Sequence, residues 1–128
     1  MRLVLDAGAL IGIDRADRRV AGLIELGRRS GAELVTTAPV IAQAWRDGAR
    51  QARLARSLAM MHVEVTDLEA AKNAGELLAS SRTTDVVDAL LALQVRQSDQ
   101  VLTSDPDDLA TLLDAQSLRA QIVLVEDS

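Results

Sequence analysis

The sequence predicts an α/β protein: a three-layer α/β/α sandwich with a mainly parallel central sheet, formed as a single domain over residues 1–128. Three observations lead there. Short apolar, β-branched runs alternate with longer segments whose apolar residues recur every three or four positions. The resulting order, β-α-α-β-α-α-β-α-α-β-α-β, is how parallel strands joined by helical crossovers read in a sequence. Two of the runs also end close to an aspartate, Asp6 and Asp105. Both acids therefore fall at the carboxyl edge of the strands, where open α/β sheets build ligand sites.

Leu3–Leu5 reads as a buried strand, followed by a short helix over Ala7–Ile13. Asp17 caps a helix over Arg18–Arg29, with Val20, Leu23, Ile24 and Gly27 at helical spacing and Ser30-Gly31 as its stop. Glu33–Thr36 is the second strand, and Thr37 or Ala38 leads into a helix with Pro39 in its first turn. That helix carries Val40, Ile41, Ala44 and Trp45, bends or breaks at Gly48, and is followed by a helix over Ala49–Met60. His62–Val65 is a strand. Thr66 and Glu69 form a capping-box pattern that opens a helix over Asp67–Ser80. After a loop at Ser81–Thr83 come a helix over Thr84–Gln97, a strand at Val101–Thr103, a helix started by Asp105-Pro106-Asp107-Asp108, and a last strand at Ile122–Val125.

Composition narrows the chemistry. The chain has no cysteine, which removes disulfides and thiolate metal sites and fits a reducing cytoplasm. Its longest uncharged stretch, Leu34–Trp45, is far shorter than the roughly 20 residues of a membrane helix. Asp6 interrupts the first apolar run, which argues against a secretory signal. The expectation is a soluble, cytoplasmic protein. A net charge of −5 speaks against nonspecific coating of nucleic acid. Trp45 is the only aromatic residue, so recognition by stacking successive bases on an aromatic platform is nearly ruled out.

The acids carry the functional signal. Asp6 fits either a metal ligand or a helix N-cap, the latter stabilising by about 1 kcal/mol. Asp105 has the same two readings, since Asp-Pro-Asp-Asp is also a good helix start. Asp88 lies inside an apolar helical segment, Val86-Val87-Asp88-Ala89-Leu90-Leu91, where aspartate is a mediocre helix former, and the ligand reading prevails. Asp85 sits one turn earlier on the same face, or acts as an early-turn acid favoured by the helix dipole. Carboxylates gathered at one strand edge repel one another unless a hard cation such as Mg²⁺ or Mn²⁺ binds them.

Arg46, Arg50, Arg53 and Arg56 follow at spacings of four, three and three, which makes one helical stripe if the helix is continuous, with Gln43 extending its face. Such a stripe is either a rim that grips a phosphate backbone or a solvated surface. His62, the single histidine, reads as structural, and no nucleophile–histidine arrangement or glycine-rich phosphate loop is present.

Three motifs in order, Leu3-Val4-Leu5-Asp6-Ala7-Gly8-Ala9-Leu10, Asp85-Val86-Val87-Asp88-Ala89-Leu90-Leu91-Ala92 and Val101-Leu102-Thr103-Ser104-Asp105-Pro106-Asp107-Asp108-Leu109, resemble the PIN-domain family, and within it the compact VapC-type toxins of toxin–antitoxin modules. The resemblance runs over essentially the whole chain. It implies that Asp6 and Asp88 are the principal Mg²⁺ or Mn²⁺ ligands, with Asp105 a further acid of the pocket and Asp85 and Asp108 possible additions. It also implies hydrolysis of a structured RNA such as tRNA or rRNA, a cognate antitoxin as partner, and a homodimer. The chain departs from the family at one point: where a glutamate is usual, it has Gln43. Asp14, Asp85 and Asp108 are the acids left to supply that charge. The departure keeps open an alternative, a catalytically weak PIN-like module that binds RNA or a protein.

Overall fold

The apolar runs form strands, and all of them point the same way. The computed structural model describes residues 1–125, so the last three residues of the expected domain lie outside the described residues. Strands β1 (Arg2–Leu5), β2 (Glu33–Thr37), β3 (His62–Glu64), β4 (Gln100–Thr103) and β5 (Gln121–Leu124) make one sheet in the order β3-β2-β1-β4-β5. Every neighbouring pair is parallel, so the mainly parallel sheet expected from the alternation is wholly parallel. Leu3, Val4, Leu5, Val101 and Leu102 are each 1% exposed or less, because β1 and β4 are covered on both faces.

The helices are α1 (Ala7–Asp14), α2 (Arg18–Arg29), α3 (Ala38–Ala44), α4 (Ala52–Leu58), α5 (Leu68–Ser81), α6 (Val86–Ala92) and α7 (Pro106–Ala115). From β1 the chain winds through β2 to β3, and from β4 it winds the opposite way to β5. Right-handed crossovers then put the two sets of helices on opposite faces. Accordingly α1 packs on α2, α3 and α4, while α5, α6 and α7 pack on one another. This is the three-layer α/β/α arrangement. The reversal opens a crevice between the carboxyl ends of β1 and β4, and Asp6 and Asp105 flank it.

Local chemistry explains both the agreements and the departures. The Asp17 carboxylate accepts the Val20 N–H at 3.0 Å and starts α2. Thr37 Oγ1 accepts the Val40 N–H at 3.3 Å, with Pro39 in the first turn of α3. The cap of α5 is Asp67 rather than Thr66: its Oδ1 accepts the Ala70 N–H at 2.8 Å, and a carboxylate suits the positive helix end better than a hydroxyl.

The expected helix over Ala49–Met60 is divided into a 3₁₀ turn, Gly48–Arg50, and α4. Gln51 causes the division. Its amide oxygen accepts the Arg46 and Asp47 N–H groups at 2.8 and 2.9 Å, and its nitrogen donates to Ala44 O at 3.0 Å and to the Asp14 carboxylate at 3.3 Å. This buried amide satisfies a bend that a helix could not make.

The helix expected over Thr84–Gln97 covers only Val86–Ala92. Asp99 Oδ2 accepts the Arg96 N–H at 2.7 Å and the Arg2 guanidinium at 3.1 Å, and Arg2 also donates to the Gln94 carbonyl. These tertiary bonds pull the chain out of the helix. Among the described residues, no helix is long and apolar enough to cross a membrane.

Candidate metal centre

Asp6 enters the crevice from the end of β1 and is 6% exposed. Its Oδ1 accepts the Ala9 N–H at 3.1 Å, so it does cap α1. Its Oδ2 accepts the Thr103 hydroxyl in a short bond and the Ser104 N–H at 3.1 Å. Burial raises the Asp6 carboxyl above its ordinary range, and the bonds from Thr103 and the Ala9, Ser104 and Gly8 backbones pull it part of the way back. Gly8 permits this arrangement. A Cβ at that position would lie 2.5 Å from Ser104 Oγ and 3.2 Å from the Ser104 backbone nitrogen, so any side chain there would push the β4 exit away from Asp6.

Asp88 sits half-buried in the first turn of α6. Its carboxyl is pushed up to about 7, by burial first and then by the negative charges of Asp85, Asp105, Asp6 and Asp108. Asp85 is not one turn below it on a shared helical face. It is the N-cap residue outside α6, and its Oδ1 accepts the Asp88 N–H at 3.0 Å.

Asp105 precedes α7 in the N-cap position, yet its side chain makes no capping bond. The capping explanation therefore fails for Asp105. Its backbone N–H donates to Thr103 Oγ1 at 2.9 Å. Its carboxyl is raised, by partial desolvation first and then by Asp108 one helical turn on.

Asp88, Asp105 and Asp108 each offer a carboxylate oxygen, and the three oxygens lie within 4.8 Å of one another. Oxygens on opposite sides of a hard cation stand roughly 4–5 Å apart, given metal–oxygen bonds of about 2.0–2.6 Å. The donors are hard and anionic, and none of the ion pairs formed among the described residues includes Asp6, Asp88, Asp105 or Asp108. The three residues thus fit Mg²⁺ or Mn²⁺. Asp6 is not one of the three. It lies close enough to raise Asp88, and its two oxygens accept from Ala9, Thr103 and Ser104. Asp85, Asp88 and Asp108 also line a cleft of about 250 Å³ with Arg82, Thr83 and Thr84.

The other expected site residues lie elsewhere. Gln43 is exposed and lines a different cleft of about 390 Å³ with Asp14, Arg15, Arg46, Asp47 and Arg50. The arginine stripe is divided by the Gln51 bend. Arg46 follows α3 and donates through Nη1 to Ala42 O and Trp45 O, both at 2.8 Å. Arg50 lies 3.6 Å from the Asp47 carboxylate. Arg53 donates to Asp14 O at 3.1 Å and lines a third cleft with Arg18 and Arg28. Two basic clefts thus replace the single face.

Two contributors were not singled out from the sequence. Thr103 is fully buried and bonds both Asp6 and the Asp105 amide. Its signal was a hydroxyl two residues before an aspartate at a strand end. Arg82 lines the acid cleft and had no sequence signal beyond its place just before a capped helix.

Compared with known families and curated proteins, the chain matches no family model and no curated sequence.

Proposed function

We propose that the protein is a metal-dependent endoribonuclease, the toxin of a VapBC-type toxin–antitoxin module, which hydrolyses a structured RNA such as tRNA or rRNA. The observation that carries this reading is the set of three carboxylate oxygens within 4.8 Å, none of them in an ion pair among the described residues, at the point where the sheet reverses its winding. The three motifs shared with PIN domains supply the reaction class.

Asp88, Asp105 and Asp108 would hold the cation. When bound, a divalent cation acidifies water and offsets the charge of a phosphodiester. The chain's own groups do the rest. Asp88 keeps a proton below about pH 7 and yields it when a cation takes its place. Thr103 fixes Asp6 and the Asp105 backbone together, which holds the acids in position with no substrate present. Arg46 and Arg50 line one cleft and Arg53 another, and they suit phosphate oxygens of the RNA backbone beyond the cut. A cognate antitoxin and a second copy of the chain are the partners this reading entails.

Isothermal titration with Mn²⁺, paired with a cleavage assay on tRNA and rRNA with and without chelator, tests the proposal. Saturable Mn²⁺ binding with chelator-sensitive cleavage supports it, and absence of Mn²⁺ binding removes it. Mn²⁺ binding without cleavage would favour the second reading, a PIN-like RNA- or protein-binding module, which the neutral amide of Gln43 favours.

A further inference from the structure

Arg82 lines the acidic cleft together with Asp85, Asp88 and Asp108, yet its guanidinium makes no hydrogen bond or ion pair with them or with any other described residue. Some exposed arginines close on nearby acids, Arg28 and Arg29 on Glu25 and Arg50 on Asp47, whereas Arg18 and Arg119 line clefts beside acids and, like Arg82, pair with none of them. A cation that shares a cleft with several carboxylates and stays apart from them leaves room for a third group. Thr84 lines the same cleft, is exposed, and its hydroxyl has no partner among the described residues.

The backbone adds a second observation. Arg82 ends α5 in the left-handed region, φ 59° and ψ 38°, with its N–H donating to Leu78 O. A side chain there is strained, and glycine fits without strain. Ala16, Ser98 and Ser117 share this conformation, so strain alone marks nothing. Arg82 differs from those three in being a cationic residue that lines the acid cleft.

We infer that Arg82 is a phosphate-binding residue: its planar fork takes one oxygen of an RNA phosphate while a cation held by Asp88, Asp105 and Asp108 takes another. The inference rests on the nuclease reading and adds to it a second point of attachment, which would fix the orientation of the phosphate. Among the described residues, Arg82 is also the single basic side chain lining that cleft.

Stability and binding should move in opposite directions on substitution. Arg82→Gly relieves the left-handed strain and should raise the melting temperature of the metal-free protein by about 4 °C. The same variant should bind bulk tRNA about tenfold more weakly when Ca²⁺ replaces Mg²⁺ to hold off cleavage. Its plot of log affinity against log salt should flatten by roughly 0.7, one phosphate contact. Arg82→Lys should recover most of the salt slope. Arg119→Gln, which removes the same charge from a cleft between α7 and β5, should leave affinity unchanged. A stabilised Arg82→Gly with wild-type affinity would overturn the role of Arg82 alone. A wild-type protein that binds tRNA equally with Ca²⁺ and with chelator would overturn the nuclease reading and this inference together.

Discussion

Asp6 and Asp99 are both aspartates buried beside the central strands, 6% and 3% exposed, and they are treated in opposite ways. Asp99 stands at the amino edge of the sheet, just before β4. It is paired with the Arg2 guanidinium at 3.1 Å and takes the Arg96 amide at 2.7 Å. Asp6 stands at the carboxyl edge, just after β1. It receives only neutral donors, and its charged neighbours include the acid Asp88. At one edge the chain supplies its own counter-charge. At the other it gathers more carboxylates, and none of them forms an ion pair among the described residues.

The largest effect should come from removing the paired acid. Asp99→Ala would strand a buried Arg2 whose Nε already lacks a partner. Urea unfolding should show a loss of about 3–5 kcal/mol. A loss below about 1 kcal/mol would mean that Asp99 does not compensate Arg2.

Next comes the unpaired side. Asp88→Asn removes charge with little change in volume, so the metal-free protein at pH 8 should unfold at the same or a higher temperature. It should lose the rise in melting temperature caused by Mn²⁺, and its RNA cleavage should fall by about a hundredfold or more. Wild-type cleavage by the variant at saturating Mg²⁺ would exclude Asp88 from the site.

The pH dependence follows from the same residue. The folded state raises the Asp88 carboxyl from 3.8 to about 7, so it favours the protonated form. The stability this confers is complete below about pH 4 and is lost as pH rises through about 7. In chelator, the melting temperature should therefore climb as pH is lowered from 8 to 5, and Asp88→Asn should flatten the slope. With Mn²⁺ present, the ion competes with the proton and the slope should reverse. An equal slope for wild type and variant would move the effect to another group.

The smallest effect is expected at Gln43. Because its side chain lines the cleft with Arg15, Arg46 and Arg50, Gln43→Glu should change Mn²⁺ affinity by no more than about twofold. Titration showing a tenfold tighter site would return Gln43 to the metal's reach.

Much of this was legible in the sequence because it is local. Asp17 and Thr37 cap within three residues of themselves, Pro39 sits where a first helical turn tolerates it, and α2 has the boundaries its periodicity predicts. What could not be read depends on residues distant in sequence. The end of α6 is set by Arg2 reaching Gln94 and Asp99, some ninety residues away. The division of the arginine stripe is set by the side-chain bonds of Gln51 rather than by Gly48 alone. Asp105 looked like a cap by sequence but makes no capping bond, because its backbone is turned toward Thr103. The prominence of Asp108 over Asp6 depends on how α6 packs on α7, and no spacing in the sequence encodes that packing.

The strand order also bears on synthesis. A growing chain that has reached Gln97 already contains Asp6 and Asp88, but it lacks β4, the element that pairs with β1 and brings Thr103 to Asp6. Two of the three clustered acids, Asp105 and Asp108, follow that strand. Fragments released before β4 is made therefore lack two of the three clustered acids and the Thr103 bond to Asp6. For a protein proposed to cut RNA, a nascent chain that stops short of Asp105 would lack the means to hold the cation.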